Sequence, residues 1–329
     1  MNFIKKNFIP SLLMIAMAFT FVNCQKDSDD DPNNLEAKGT VEFEITDAPI
    51  DDTNIEGTFV TVTAVKVDGE AISSFSGKQT IDLMAYQNGD TKALGLAELE
   101  TGTYSNVSLV LDYDADVNGD APGCYVKTTD NKKHSLKSTA NSTSEIVISN
   151  TTFEVRENST TKIVMDFDVR KAVKKQDNPQ ADDEYDFVTE AELKSSVRVV
   201  NKENTGKVQG DCSDNLGVAG DRIVVYAYKK GTYDKNTETT GQGSSNIMFK
   251  NAETSAVVSS SGSYDLSFLT EGEYELHFVG YEDSNNDGKM EAKGMLEVSA
   301  LTSLDLLGFQ LDATADVTLN VTVLAVVPF

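Results

Sequence analysis

The sequence predicts an all-β protein: two β-sandwich domains behind an export signal and a flexible tether. Three observations carry this. Apolar residues recur at every second position along most of the chain. Turn dipeptides such as Asp68-Gly69, Asn88-Gly89 and Asn118-Gly119 punctuate it, and a basic start leads into a single apolar run that ends in a cysteine. Period-two alternation makes strands with one buried face. Asn, Asp and Gly tolerate the positive φ that tight turns need.

Taken in order, Lys5 and Lys6 precede an apolar run of 14 residues, Phe8 to Phe21. A bilayer span takes about 20 residues, so residues 1–23 read as a signal peptide. The closing Phe21-Val22-Asn23-Cys24 resembles a bacterial lipobox, in which the thiol is acylated and becomes the first mature residue. Asn23 stands where that pattern has Gly or Ala, and an ordinary signal peptide with an incidental cysteine is the competing reading. Cys24 is therefore the expected lipidation site and the lipid membrane the expected partner. Residues 24–38 follow as an acidic tether; from Gln25 to Asn34 they hold no apolar residue and cannot offset the entropy of ordering. Acidic residues at this place resemble the export signal of Bacteroidota lipoproteins, which implies an outer-membrane lipoprotein at the cell surface. A periplasm-facing lipoprotein is the alternative.

The first body, residues 39–200, opens with Val41, Phe43 and Ile45 in alternation, repeated at Val107, Leu109 and Leu111 and at Ile163, Met165, Phe167 and Val169. In Thr58 to Val67 the apolar phase slips between Ala64 and Val65, as at a bulge. Asn201 to Gly206 carries no apolar residue and marks a boundary. The second body, residues 201–329, alternates at Tyr264, Leu266 and Phe268, at Tyr274, Leu276 and Phe278, and at Leu319, Val321 and Val323. Each body has ordinary domain size. Both contain Leu-x-x-Gly-x-Tyr, at Leu99 to Tyr104 and Leu269 to Tyr274. This pattern resembles a tyrosine corner, whose phenol bonds back to upstream backbone, so Tyr104 and Tyr274 are expected to be structural.

Composition limits function. Asp and Glu number 53 against 28 Lys and Arg, a net charge of −25, which repels nucleic acid. Two histidines and no tryptophan leave little for histidine-based zinc sites, histidine-assisted nucleophiles or tryptophan sugar platforms.

Thr46-Asp47-Ala48-Pro49, with Phe59 to Val67, Leu99-x-x-Gly102-Thr103-Tyr104 and Val164 to Lys171, resembles a bacterial family of domains of unknown function found in Bacteroidota-type lipoproteins. The resemblance covers about residues 39–200 and implies an immunoglobulin-like sandwich without an established activity. In it Asp47 is expected to cap the turn and Pro49 to stop the strand. From Gly206, the segments Asp221 to Tyr228, Ser261 to Leu266 and Gly272 to Leu276 resemble transthyretin-like domains related to the carboxypeptidase regulatory domain. That fold is often grouped with carbohydrate-binding modules, which implies a glycan ligand.

The sharpest chemical motif is Asp283-x-Asn285-x-Asp287-Gly288-x-x-Glu291, whose alternating oxygens suit Ca2+, with the Lys289 carbonyl as a further ligand. A polar hairpin turn explains the same residues equally well. A second loop, Asp114, Asp116, Asn118 and Asp120, repeats the theme without the glutamate. In an oxidising compartment Cys124 and Cys212 are left to pair as a disulfide closing 88 residues, or to stay buried as thiols. His134 reads as a loop residue, and Asp166 and Asp168 as solvent-facing residues of a strand. The expectation is a non-enzymatic, lipid-anchored envelope module for binding or adhesion, with a glycan or an envelope protein as partner. The alternatives are a carboxylate-dependent glycan hydrolase and a purely structural protein-binding scaffold.

Overall fold

The structure is a computed structural model that describes residues 37–48, 52–75, 77–148, 152–176, 184–286, 288–301 and 303–329. Cys24, Pro49 and Asp287 lie outside the described residues. The protein is all-β, and the longest described helix is Glu190–Ser195. Residues Glu36–Phe329 form one compact unit.

In the first half a four-stranded sheet orders Val197–Asn201, Thr160–Asp168, Lys38–Ala48 and Lys92–Glu100. A seven-stranded sheet is built around the long strand Ile55–Val67. Between the sheets lie the apolar residues the alternation selects, among them Val41, Phe43, Ile45, Leu109, Leu111, Met165 and Phe167, all fully buried. Each such side chain contributes roughly 1.5–3 kcal/mol. Asp68 and Gly69, at φ 47° and 90°, make the hairpin turn into Glu70–Ala71. The bulge in Ile55–Val67 falls at Thr63, because Val62 faces Leu111 while Ala64 already faces Val110. It lies one residue before the slip in the apolar pattern.

Lys38–Ala48 and Thr160–Asp168 pair in parallel, with Ala48 opposite Asp168. This register places Asp47 beside the neighbouring strand, while the turn it is expected to cap, residues 49–51, lies outside the described residues. The residue is still inside the strand, and its carboxylate reaches the turn after the neighbouring strand, accepting the Val169 N–H at 3.1 Å and the Gln87 Nε2 at 3.1 Å. Thr46 Oγ1 lies 2.9 Å from the Tyr86 carbonyl and 2.8 Å from that of Asp90. The Thr-Asp pair thus ties the end of the first strand to two different loops.

The sheets change at the single turn Lys202–Asn204. Beyond it one nine-stranded sheet runs in the order Thr254–Val257, Arg222–Lys229, Gly272–Glu282, Glu291–Ala300, Val321–Val327, Thr205–Ser213 and Ser263–Thr270, with Phe309–Leu311 and Asp316–Thr318 attached. It curls around Val208, Val225, Leu266, Leu276, Phe278, Val321 and Val323. Its other face carries Val224, Tyr226, Tyr228, Val279 and Tyr281, covered by Phe249 and Ala252. Tyr226 stacks on Phe249 at 4.4 Å. With both faces covered, Ile223 to Tyr228 is an unbroken apolar run where a half-exposed strand would alternate.

Three expectations are corrected. Cys124 and Cys212 are free thiols buried in different cores, one in each half, so they do not pair. Burial pushes each thiol up to about 12. His134 is in the strand Lys133–Ser135 and buried, its Nε2 3.4 Å from Thr128 Oγ1 and its ring edge-on to Tyr185. Asp166 and Asp168 are not solvent-facing; they are only 4% and 5% exposed, because the second half covers that face of the strand.

Candidate functional site: the cleft at the junction of the two halves

The two halves meet along an ionic seam. Asp166 Oδ2 accepts Arg198 Nε at 2.8 Å and lies 2.6 Å from Nη2. Arg198 then donates across the junction to the carbonyls of Phe268 (2.7 Å) and Ser267 (3.3 Å). Asp168 Oδ2 holds Arg170 and Lys171, each at 3.1 Å. Those cations donate in turn to the carbonyls of Met248 (2.9 Å) and Ala252 (2.6 Å). Carboxylates of the first half thus orient cations that bond backbone of the second. On the same seam Glu192 accepts the N–H and the hydroxyl of Ser245 at 3.1 and 2.7 Å.

Burial raises a carboxyl's pKa and a neighbouring cation lowers it. At Asp168 burial is outweighed by Arg170 and Lys171, and the group is held below the usual carboxylate range. Asp47, close by, makes no salt bridge among the described residues. Burial, with the charges of Asp168 and Asp166 adding to it, pushes its pKa well above that range despite the bonds from Gln87 and Val169. Burial likewise lowers Lys171.

Beside the seam opens a cleft of about 550 Å³, within the span of roughly 300–1,000 Å³ usual for small-ligand sites. One wall is the hairpin Val173–Lys175 and Tyr185–Phe187 with Asp52; another is the turn Ser244 to Met248; the third is Lys289 to Ala292. Tyr185 donates to Asp52 Oδ2 at 2.7 Å, and Lys175 Nζ lies 3.5 Å from Glu184 and 4.0 Å from Asp52. Ile247, Met248, Tyr281 and Met290 supply apolar surface.

The acidic loop from Asp283 forms the third wall. The Lys289 backbone pairs with that of Asp52 in an isolated antiparallel β-bridge, and the Gly288 carbonyl accepts both the N–H (3.2 Å) and the hydroxyl (2.8 Å) of Thr53. Gly288 has φ 86°, and a Cβ there would collide with the Asn54 side chain, so only glycine lets the loop dock. Of the proposed calcium ligands, Asp283 Oδ2 accepts the Gly288 N–H at 2.9 Å and Glu291 Oε2 accepts from Ser284 N and Oγ at 3.2 and 2.9 Å. Lys289 and Glu291 line the cleft; Asp283 and Asn285 do not. In the second loop Asp116 Oδ1 accepts the N–H groups of Asn118 (2.8 Å) and Asp120 (3.0 Å), and Asp114 pairs with Lys137 at 2.9 Å. Among the described residues no group of three or more His, Cys, Asp and Glu is placed to hold a metal ion.

Tyr104 and Tyr274 lie elsewhere. Each phenol donates to the carbonyl four residues upstream, Tyr104 to Glu100 (3.0 Å) and Tyr274 to Thr270 (2.7 Å). Lys229 Nζ sits 4.2 Å over the Tyr274 ring and fills the space beside Gly272. Sequence reasoning missed Asp52, Arg170, Lys174, Lys175 and Tyr185. A signal for the cations was present: Arg170, Lys171, Lys174 and Lys175 fall within six positions of a chain with only 28 basic residues.

Fold and cleft together define an all-β protein of two sandwich-like halves with a preformed hollow at their junction. Residues 38–188 match the family model described as a domain of unknown function, DUF4382. No curated protein matches the chain. Among solved structures it is similar to the Bacillus anthracis TIE protein, at 12% identity over 87% of this chain and 34% of that one, TM-score 0.19. It is also similar to the major pilin subunit of Bacillus cereus (9% identity, 87% and 70% covered, TM-score 0.20) and to the minor pilin of Streptococcus agalactiae (14%, 88% and 98%, TM-score 0.19). The chain spans about a third of the length of the first of these.

Proposed function

We propose that the protein is a non-enzymatic binding module of the cell envelope, anchored through an acylated Cys24, whose ligand site is the cleft between its halves and whose ligand is a glycan. The observation that carries this reading is the cleft itself, held open by walls from both halves that the ionic seam fixes in place. Binding to a preformed site avoids the entropy of ordering it. The pair of acids that the sequence offers for glycan hydrolysis, Asp166 and Asp168, supports binding over cleavage. Both are tied to cations that hold the halves together, and neither lines the cleft. Hydrolysis needs one acid to keep a proton beside the scissile bond and the other to face the sugar.

The test is a glycan array probed with the full-length protein in detergent, alongside labelled palmitate fed to cells expressing wild type or Cys24→Ala. The reading expects saturable binding to a defined glycan, unchanged on prolonged incubation, and label that Cys24→Ala loses. A flat array removes the glycan; label or membrane association that survives Cys24→Ala removes the anchor.

A further inference from the structure

The chain contains one tripeptide twice, Asn88-Gly89-Asp90 and Asn118-Gly119-Asp120, and each copy lies in a tight turn with its glycine at positive φ. An asparagine followed by glycine is open to self-modification, because glycine has no side chain to shield its backbone nitrogen from the neighbouring carboxamide. Local sequence treats the two sites alike; the structure does not. In the second copy the Gly119 N–H donates to the Asp116 carbonyl at 3.0 Å, and the Asn118 N–H donates to Asp116 Oδ1 at 2.8 Å. In the first, the bond that closes the turn comes from Asp90, whose N–H donates to the Gln87 carbonyl at 3.1 Å. Asn88 and Gly89 occupy the two central positions, at φ 55° and 91°, and neither makes a hydrogen bond among the described residues.

We propose that Asn88 is a site of spontaneous deamidation, its carboxamide attacked by the unbonded Gly89 nitrogen, while the bond on Gly119 protects Asn118. The Gly89 nitrogen forms a bond to Asn88 Cγ and gives up its proton, and Nδ2 leaves as ammonia. Water then opens the cyclic imide at either carbonyl. Opening at Cγ yields aspartate; opening at the main-chain carbonyl yields isoaspartate, whose backbone is longer by a methylene. Nothing is oxidised or reduced, and water is the co-reactant. At Gly119 the nitrogen must first give up the Asp116 carbonyl before it can turn toward the side chain, which adds to the barrier.

The place of Asn88 gives the change a consequence. Its turn seats on the second half, where a Cβ at Gly89 would stand 2.8 Å from Ser267 Oγ. The same loop holds the end of the first strand: the Tyr86 carbonyl accepts the Asp47 N–H at 2.9 Å, and the Asp90 carbonyl accepts the Thr46 hydroxyl at 2.8 Å. Asn88 also lines a hollow of about 440 Å³ together with Asp211 and Asp265 of the second half, so either product brings a further carboxylate to it. Like charges gathered there repel. A longer backbone moves Gly89 off Ser267, and the added charge pushes the same way. Deamidation at Asn88 therefore loosens the junction of the halves.

The experiment incubates the full-length protein in detergent, at mildly alkaline pH in heavy-oxygen water, and follows both tripeptides by peptide mass spectrometry. In the folded protein Asn88 is expected to convert about fivefold faster than Asn118 or more, the ratio that one hydrogen bond sets on a barrier. In denaturant, where neither turn exists, the two rates should converge. Asn88→Gly, which fits the positive φ and has no amide to lose, should hold its melting temperature through the same incubation while that of wild type falls. Equal rates in the folded protein, faster conversion at Asn118, no heavy oxygen at residue 88, or a gap that persists in denaturant would overturn the assignment. A wild-type melting temperature that stays constant as residue 88 converts would overturn its effect on the junction.

Discussion

Asp47 and Asp168 are buried a few ångströms of backbone apart, on paired strands, and their environments push them in opposite directions. The raised carboxyl of Asp47 contributes stability that is fully present below the ordinary carboxylate value of about 3.9 and is lost as pH rises through its higher folded value. Asp168 is lowered; its contribution is present above about 3.9 and is lost as pH falls through its folded value. At pH 7 Asp47 is therefore a cost of the fold and Asp168 a support. Asp47→Asn, which imitates the protonated acid and can still accept the Val169 N–H, is expected to keep or gain stability in urea at pH 7 and to lose its advantage toward acid pH. Asp168→Asn strands Arg170 and Lys171 in the junction and should cost about 3–5 kcal/mol. Equal losses for the two variants at pH 7 would refute this assignment. Alternation alone could not reveal the difference. It shows which strand face a residue occupies: Asp47 shares the phase of Val41, Phe43 and Ile45, and Asp168 takes the phase opposite to Met165 and Phe167; that the other half of the molecule covers the Asp168 face is a long-range fact.

Among elements, what the sequence discloses depends on how local the cause is. The hairpin at Asp68-Gly69 and the buried face of Lys38–Ala48 follow from neighbours within a few residues, and both were readable. The parallel pairing of Lys38–Ala48 with Thr160–Asp168 joins segments more than a hundred residues apart, and without it the task of Asp47 could not be inferred. The loop from Asp283 is the middle case: its Asp and Asn residues announce a tight loop, but its docking on Thr53 and Asn54 is tertiary. Gly119 and Gly288 separate the two contributions, since their φ values are 87° and 86°, yet a Cβ at Gly119 meets nothing and one at Gly288 meets Asn54. Gly119→Ala should show the strain of a positive φ alone, roughly 1 kcal/mol. Gly288→Ala should cost clearly more, and Asn54→Ala in the same chain should recover part of the difference. Denaturant midpoints measure this; equal losses at the two glycines would mean that the loop does not pack on Asn54.

For the whole molecule the question is whether two sheet systems with separate cores unfold as one. Little apolar surface joins them: Val164, Val200 and Phe268 make a small cluster, and Ile247 of the second half enters the first core. The junction otherwise consists of charged groups bonded to backbone, through Arg198, Arg170, Lys171 and Glu192. Truncating one partner of such a pair leaves the other buried and uncompensated, which is why ionic seams enforce one geometry more than they add net stability. Wild-type protein is therefore expected to give a single calorimetric transition with equal calorimetric and van't Hoff enthalpies. Neutralising one pair completely, with Asp166→Asn and Arg198→Met together, removes the bonds to Ser267 and Phe268 without stranding a charge in either half. Its expected signature is two resolved transitions whose enthalpies sum to roughly the wild-type value, because each half keeps its own core, and a weakened cleft, because the walls no longer share one frame. A single transition that merely shifts to lower temperature would mean that the remaining links through Arg170, Lys171 and Glu192 suffice to couple the halves, and the Asp166–Arg198 pair would lose the role given to it.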